Sequence, residues 1–170
     1  LQDRLRDTPG AEVSQAHFPT SYRVRWRIPG AAPQVSIIIP TRDRAELLAR
    51  CLRGVLLDTD YAPLEVLIVD NDSRDRAALD VLDRAQQDPR VRRLNWSGSF
   101  NYSAINNMAA SQARGEELCF LNNDVEVLHA GWLTEMVEQA LREGIGAVGA
   151  KLYYPDGTVQ HAGVVVGLRG

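Results

Sequence analysis

A chain of 170 residues with 45% hydrophobic content can bury one proper core, so one main domain is expected and no disulfide staples are needed to hold it. A net charge of −3 gives no general pull toward nucleic acid or anionic lipid, and the local basic spot of Arg90, Arg92 and Arg93 reads as solvated surface. The apolar runs fall far short of a membrane span and the N-terminus is charged rather than signal-like, while Cys51 and Cys119 sit apart in apolar segments as reduced thiols do; a soluble, cytoplasmic chain is expected.

Residues 1–34 carry Pro9, Gly10, Pro19, Pro29, Gly30 and Pro33 among charges, which predicts an irregular or partly helical linker or arm rather than part of a sheet. From Val35 the pattern changes, and residues 35–170 read as the domain proper. Val35-Ser36-Ile37-Ile38-Ile39 is a short β-branched run ending at Pro40, and Arg44 to Leu57 places Leu47, Leu48, Cys51, Leu52, Val55 and Leu56 at helical spacing. The alternation repeats: strand 64–69, helix 75–87, strand 91–95, helix 101–113, strand 117–121, helix 130–142, then an apolar stretch from Ile145 to Leu152. Such units predict an α/β fold with a mostly parallel sheet flanked by helices. Tyr153-Tyr154-Pro155-Asp156-Gly157-Thr158 is a turn between two β-prone runs, so the C-terminal part should leave the parallel pattern as a β-hairpin.

In parallel sheets ligands bind beyond the carboxyl ends of the strands. Those positions hold Thr41, Arg42 and Asp43; Asp70, Asn71 and Asp72; Trp96 through Asn101; and Asn122, Asn123 and Asp124. Carboxylates and amides at successive strand ends exceed what turns require, and they point to a ligand cleft. Pro40-Thr41-Arg42-Asp43-Arg44 is neither a dinucleotide glycine motif nor a P-loop. Asp70 to Val81 is not a calcium loop, since its sixth position lacks glycine and its twelfth is Val81.

Four segments in this order and spacing resemble the family 2 glycosyltransferases: Val35 to Thr41, Glu65 to Ser73, Phe100 to Asn107, and Phe120 to Asp124. The run Gly149 to Val164 is similar to a subgroup of bacterial enzymes that build surface polysaccharides, often as one domain of a longer chain. The resemblance implies a GT-A (Rossmann-like) fold, in which Pro40, Thr41 and Arg42 flank a nucleotide base and Asp70 or Asn71 hydrogen-bonds the base or ribose. Asp72 or Ser73 could instead cap the following helix. Asn106 matches a family asparagine that reaches the nucleotide sugar, or else it ties two loops.

The family's Asp-x-Asp metal triplet is here Asn122-Asn123-Asp124. Asp124 is therefore the implied ligand for a divalent cation, Mg or Mn, while neutral Asn122 can offer an amide oxygen or a ribose contact. Glu126 reads better as a solvated residue than as a second metal carboxylate. The implied activity is an inverting transfer of sugar from a nucleotide-diphosphate sugar to a saccharide or other surface-glycan acceptor. Its setting is the cytoplasm, at the inner face of the membrane if other parts of a full-length chain anchor it there. The family's catalytic base lies well downstream of the metal triplet, so the sequence reads as truncated before it, and Asp156 is explained by its turn. Two other readings are a non-catalytic nucleotide-sugar-binding or interaction module and, more weakly, a nucleotidyltransferase.

Overall fold

The computed structural model describes residues 2–16 and 20–163. The chain divides into a compact unit of residues 30–133 and a second unit of residues 1–29 with 134–170. The lead-in holds helix α1, Gln2–Leu5, and strands β1, Ala11–Gln15, and β2, Tyr22–Trp26. β1 and β2 pair antiparallel, Val13 opposite Val24. The expectation of an irregular arm outside any sheet is thus corrected. Tyr22, Val24 and Trp26 alternate with Arg23 and Arg25, which is strand periodicity, while the breakers Gly10, Pro29 and Gly30 fall outside the strands.

Within residues 30–133 the order is β3 (Val35–Thr41), α2 (Ala45–Leu56), β4 (Leu64–Asp70), α3 (Arg76–Ala85), β5 (Val91–Asn95), α4 (Tyr102–Ala110) and β6 (Glu117–Phe120). The four strands form one parallel sheet in the order β5-β4-β3-β6. All seven residues of β4 are buried, as a strand covered on both faces requires. On one face α4 brings Ile105 and Ala109 against Ile38, Leu67 and Val69. α2 and α3 pack on each other and bury Leu48, Cys51, Leu52 and Val55 with Ala78, Val81 and Leu82. Truncating a fully buried member of this core, such as Ile38, to alanine costs about 2–5 kcal/mol. The predicted strands and helices are all present, although α4 ends at Ala110 rather than Ala113.

The far end of the sheet is tied by a buried carboxylate. Glu65 accepts from Ser36 Oγ at 2.7 Å, from the Arg114 N–H at 2.6 Å and from Arg92 Nη1 at 3.2 Å. Burial pushes its pKa up, but these donors outweigh burial and hold it below the ordinary glutamate value. Gly115 closes the same corner, because a Cβ there would sit 2.6 Å from the Ser36 nitrogen.

The basic spot is also corrected, for its three arginines are spent on carboxylates and carbonyls. Arg90 pairs with Asp88 at 2.7 Å and Arg92 with Glu65, while Arg93 pairs with Asp70 at 2.6 Å and Asp83 at 3.3 Å. Asp88 is two residues from Arg90, but Glu65, Asp70 and Asp83 lie on other segments and are invisible in a local charge count.

Helix α5, Trp132–Ala140, follows, then β7, Leu152–Tyr153, and β8, Val159–His161, an antiparallel pair. Glu138 receives a two-pronged bond from Arg25, at 2.5 and 2.6 Å, and Glu135 pairs with Arg23. One side of β2 therefore matches successive turns of α5. The predicted hairpin is found, with Gly157 at φ 84° in its turn and Asp156 accepting from Thr158 N–H and Oγ. Of the apolar stretch 145–152 only Leu152 enters a strand. Residues 164–170, including the β-like run expected there, lie outside the described residues. Among the described residues no helix is long and apolar enough to cross a membrane.

Candidate functional site

The carboxyl ends of β3, β4, β5 and β6 lead into loops that surround a cavity of about 290 Å³. The first loop contributes Pro40, Thr41, Arg42 and Arg44, and the second Asn71. Phe100 and Tyr102 come from the third, with Ile105 of α4 beneath, and Asn122, Asn123 and Asp124 from the fourth. Of the sequence-predicted residues, the structure brings Pro40, Thr41, Arg42, Asn71, Asn122 and Asp124 together on this wall. Asp70 and Asn106 are not on it.

Asp70 is 4% exposed and faces the scaffold. Its Oδ1 accepts from the Ser73 N–H at 3.0 Å, and its Oδ2 takes the Arg93 guanidinium at 2.6 Å. It shapes the turn that presents Asn71. Asn106 is 5% exposed and lies on the buried face of α4, donating from Nδ2 to the Tyr102 carbonyl at 2.9 Å. Neither Asp72 nor Ser73 caps α3, since Asp75 does so by accepting from the Ala77 N–H. Asp72 stands at φ 57° and pairs outward with Arg74.

The first two loops are interlocked by Asp43. Its N–H donates to Ser73 Oγ at 2.8 Å, and its Oδ1 accepts from the main-chain N–H of Arg74 at 2.7 Å and of Asp75 at 2.8 Å. Hydrogen bonds from Asp75 and Arg74 hold the Asp43 carboxyl below the ordinary aspartate range. The bridge also accommodates two successive non-glycine residues with positive φ, Asp43 at 55° and Arg44 at 57°, a sparsely populated conformation that persists only when its surroundings enforce it. Sequence reasoning noted Asp43 only as one polar strand end. Its bridging role has no sequence signal, because the partners are thirty residues away.

Three buried side-chain polar atoms lack a partner among the described residues: Asn71 Nδ2, Arg93 Nε and Asn106 Oδ1. A buried donor left unmet costs about 1–3 kcal/mol, so a native structure keeps one where a ligand or water satisfies it. Asn71 lies on the cavity wall. Arg42 and Arg44, on the same wall, have no ion-pair partner among the described residues and bring positive charge suited to phosphate oxygens.

In the fourth loop Asn123 donates from Nδ2 to Thr41 Oγ1 at 2.8 Å, which fixes the triplet against β3. Asp124 is the one carboxylate on the cavity wall among the described residues. Glu126 is paired at the surface with Arg50 at 2.5 Å, in line with its reading as a solvated residue. No group of three or more His, Cys, Asp or Glu able to hold a metal occurs among the described residues. One carboxylate and nearby amide oxygens suit a hard cation that takes its remaining oxygens from a bound diphosphate and from water, the habit of magnesium. Cys51 and Cys119 are free thiols. Burial, aided by the Asp124 charge, pushes Cys51 up to about 12, and burial raises Cys119 to about 11.

A larger cavity, of about 410 Å³, lies in the other unit among Glu12, Arg25, Arg27, Ile28 and Glu138. Its charges are already matched, Arg25 to Glu138 and Arg27 to Glu12, so it offers a ligand little that is unmet.

The sequence profile of glycosyl transferase family 2 matches residues 36–164. The O-antigen biosynthesis protein RfbC of Myxococcus xanthus is 50% identical over 165 residues, which are 97% of this chain and 13% of that protein. The GalNAc(5)-diNAcBac-PP-undecaprenol beta-1,3-glucosyltransferase of Campylobacter jejuni is 29% identical over 109 residues, 64% of this chain and 35% of that one. The chain thus spans a minor part of these relatives. Among solved structures, the mannosyltransferase PcManGT from Pyrobaculum calidifontis in complex with GDP-Man and Mn2+ matches with a TM-score of 0.66 at 23% identity, over 91% of this chain and 41% of that one. TarS of S. aureus matches with a TM-score of 0.55 at 19% identity, over 70% of this chain and 38% of that one. At these identities the likeness is one of fold, and the fold is of the GT-A type.

Proposed function

The chain belongs to glycosyl transferase family 2, and from that premise we propose that residues 35–170 are the donor-binding portion of an inverting glycosyltransferase, with residues 1–34 as an arm. The sugar would pass from a nucleotide-diphosphate donor to a saccharide or other surface-glycan acceptor. The observation that carries this reading is the cavity itself, where two arginines and an amide donor without partners among the described residues, and one carboxylate, converge from separate strand ends. Thr41, Arg42 and Asn71 hold the nucleoside, with Pro40 shaping the turn beneath it and Asn122 within reach of the ribose. Asp70 and Asn106 act from behind the wall by fixing the segments that carry Asn71 and Tyr102. Asp124 holds a divalent cation, Mg or Mn, which when bound neutralises charge on the departing diphosphate. The solved neighbour bound to GDP-Man and Mn2+ supports this choice of ligands. The relatives named for O-antigen biosynthesis and for an undecaprenol-linked substrate support a surface-glycan acceptor.

The test is calorimetric titration of the chain with uridine, thymidine, guanosine and adenosine diphosphates, with and without manganese. The reading requires at least one of them to bind, and to bind more tightly with the metal. A folded sample that binds none would sink it.

A further inference from the structure

The aromatic residues of the cavity are absorbed by none of these roles. Phe100 is 67% exposed and Tyr102 46% exposed, yet both line the cavity together with buried Ile105. A large apolar ring left this exposed on a loop stabilises nothing by burial in the free protein. The turn that carries it is nevertheless held in place. Trp96 Nε1 donates to the Ser99 carbonyl at 3.1 Å, the Trp96 N–H donates to the Asp70 carbonyl at 2.9 Å, and Gly98 lies against the indole. Asn101, between the two aromatics, is anchored as the α4 cap by accepting from the Ala104 N–H at 3.0 Å. The two rings are thus presented from a braced turn.

Sheet order supplies the direction. The strands run β5-β4-β3-β6, so the loop that carries Phe100 leaves the sheet at β5 and leads to Tyr102 at the start of α4, over β4 and β3, while Asp124 comes from the β6 side, and Asn71, Arg42 and Arg44 from the strands between. Adjacent strands lie about 4.8 Å apart, which makes the sheet about 14 Å wide from β5 to β6. A nucleoside diphosphate laid across it meets π-faces and an unmet amide donor first, and cationic side chains and the carboxylate after. A planar base offers a π-face to the rings and carbonyl edges to an amide donor such as Asn71 Nδ2.

We infer that Phe100 and Tyr102 form an aromatic platform on which the nucleobase of the donor stacks, with Phe100 the larger contributor. The inference rests on the donor-binding reading above. Base stacking on an aromatic side chain is commonly worth about 1–3 kcal/mol, or roughly 5- to 150-fold in affinity.

The experiment is calorimetry on the 170-residue chain and its Phe100→Ala, Phe100→Tyr and Tyr102→Ala variants, using uridine diphosphate, guanosine diphosphate, UDP-glucose and inorganic pyrophosphate, all with manganese. The expected result is that Phe100→Ala weakens nucleoside diphosphate binding by at least about 5-fold, that Phe100→Tyr keeps it, and that pyrophosphate binding is unchanged. Unaltered diphosphate binding in Phe100→Ala overturns the platform while leaving the donor-site reading intact. So does an equal loss on pyrophosphate, which would mean that the variant had disturbed the loop as a whole. A loss confined to UDP-glucose would put the sugar on the ring and likewise overturn the inference. Wild-type chain that binds no nucleotide would remove the donor site and the platform together.

Discussion

The N–H of Asp43 donates to Oγ of Ser73 at 2.8 Å, and through this contact the loop after β3 is fastened to the loop after β4. The Asp43 carboxylate in turn accepts from the main-chain N–H groups of Arg74 and Asp75, so the cavity's first two walls move as one.

That linkage predicts a ranking of variants. Asp43→Ala should weaken nucleoside diphosphate binding about 10-fold or more, because misplacing a binding loop by about 1 Å is commonly that costly. Asp43→Asn should be milder, since its carbonyl oxygen can still accept and asparagine tolerates positive φ. Titration calorimetry on both variants checks the order. Because the folded Asp43 pKa is depressed, its contribution is present above the unfolded aspartate value and is lost as pH falls through the folded one. Wild-type stability supplied by this bridge should therefore begin to fade as pH falls through the ordinary aspartate range and be gone below the folded value, and the Asp43→Ala chain should lack that acid-side component.

Asp124→Ala should reduce diphosphate affinity in manganese more than Asn122→Ala does, since only the carboxylate offers charge to a cation. Without metal the two variants should differ little. Glu126→Ala, which removes only a surface pair with Arg50, should be nearly silent. A larger effect from Asn122→Ala would place the cation elsewhere.

Asp70→Ala should behave as a stability variant. It leaves the largely buried Arg93 guanidinium with only its longer contact to the exposed Asp83, and since removing one partner of a buried pair costs about 3–5 kcal/mol, a loss of up to that size is expected. Urea denaturation should show that loss. At a temperature where the variant is still folded, diphosphate affinity should fall less than in Asp124→Ala.

The 170-residue chain should bind donor yet turn over slowly. Asp124, assigned to the cation, is the one carboxylate of the cavity wall among the described residues, and Asp156 is exposed with its carboxylate spent on Thr158. General-base help is commonly worth roughly 10²- to 10⁴-fold in rate. Product formation by this chain should fall short of that by a longer chain by about this factor; equal rates would place the base within residues 1–170.

Cys51 should resist alkylation. With its pKa pushed up to about 12, only on the order of one thiol in ten thousand is ionised at pH 8. Labelling with a maleimide should be slow in the native chain and fast in urea, with Cys119 the quicker of the two in the folded state.

Much of this was legible in the residue string. The β-branched run at Val35, the apolar run at Leu64 and the helical spacing around Leu48 are local patterns, and parallel β/α alternation turns local patterns into a sheet with polar strand ends. Asn71 and Asp124 stand among those strand ends, and both line the cavity. What stayed hidden depends on partners distant in sequence. Asp70 and Asn71 are neighbours of similar polarity, yet Arg93 draws one into the scaffold and leaves the other on the cavity wall. The β1–β2 ribbon is obscured by the prolines and glycines that flank its strands, which mask the alternation of Tyr22, Val24 and Trp26. Phe100 carries no polar signal at all, and its position on the wall emerges only once the loop is folded.

β6 pairs with β3 only from Val35 to Ile38, whereas β4 accompanies β3 as far as Thr41. The sheet is therefore notched: over its last residues β3 has a strand on one flank only, and the loop of Asn122 to Asp124 turns into the gap. Pro40 stands in that notch, where the hydrogen-bond donor it lacks is not demanded by a neighbouring strand. An extension of β6 by two paired residues would continue the ladder and close the opening. The room for a ligand is thus set by where one short edge strand stops, and a change in strand length there would erase the cavity without altering any residue that lines it from the other loops.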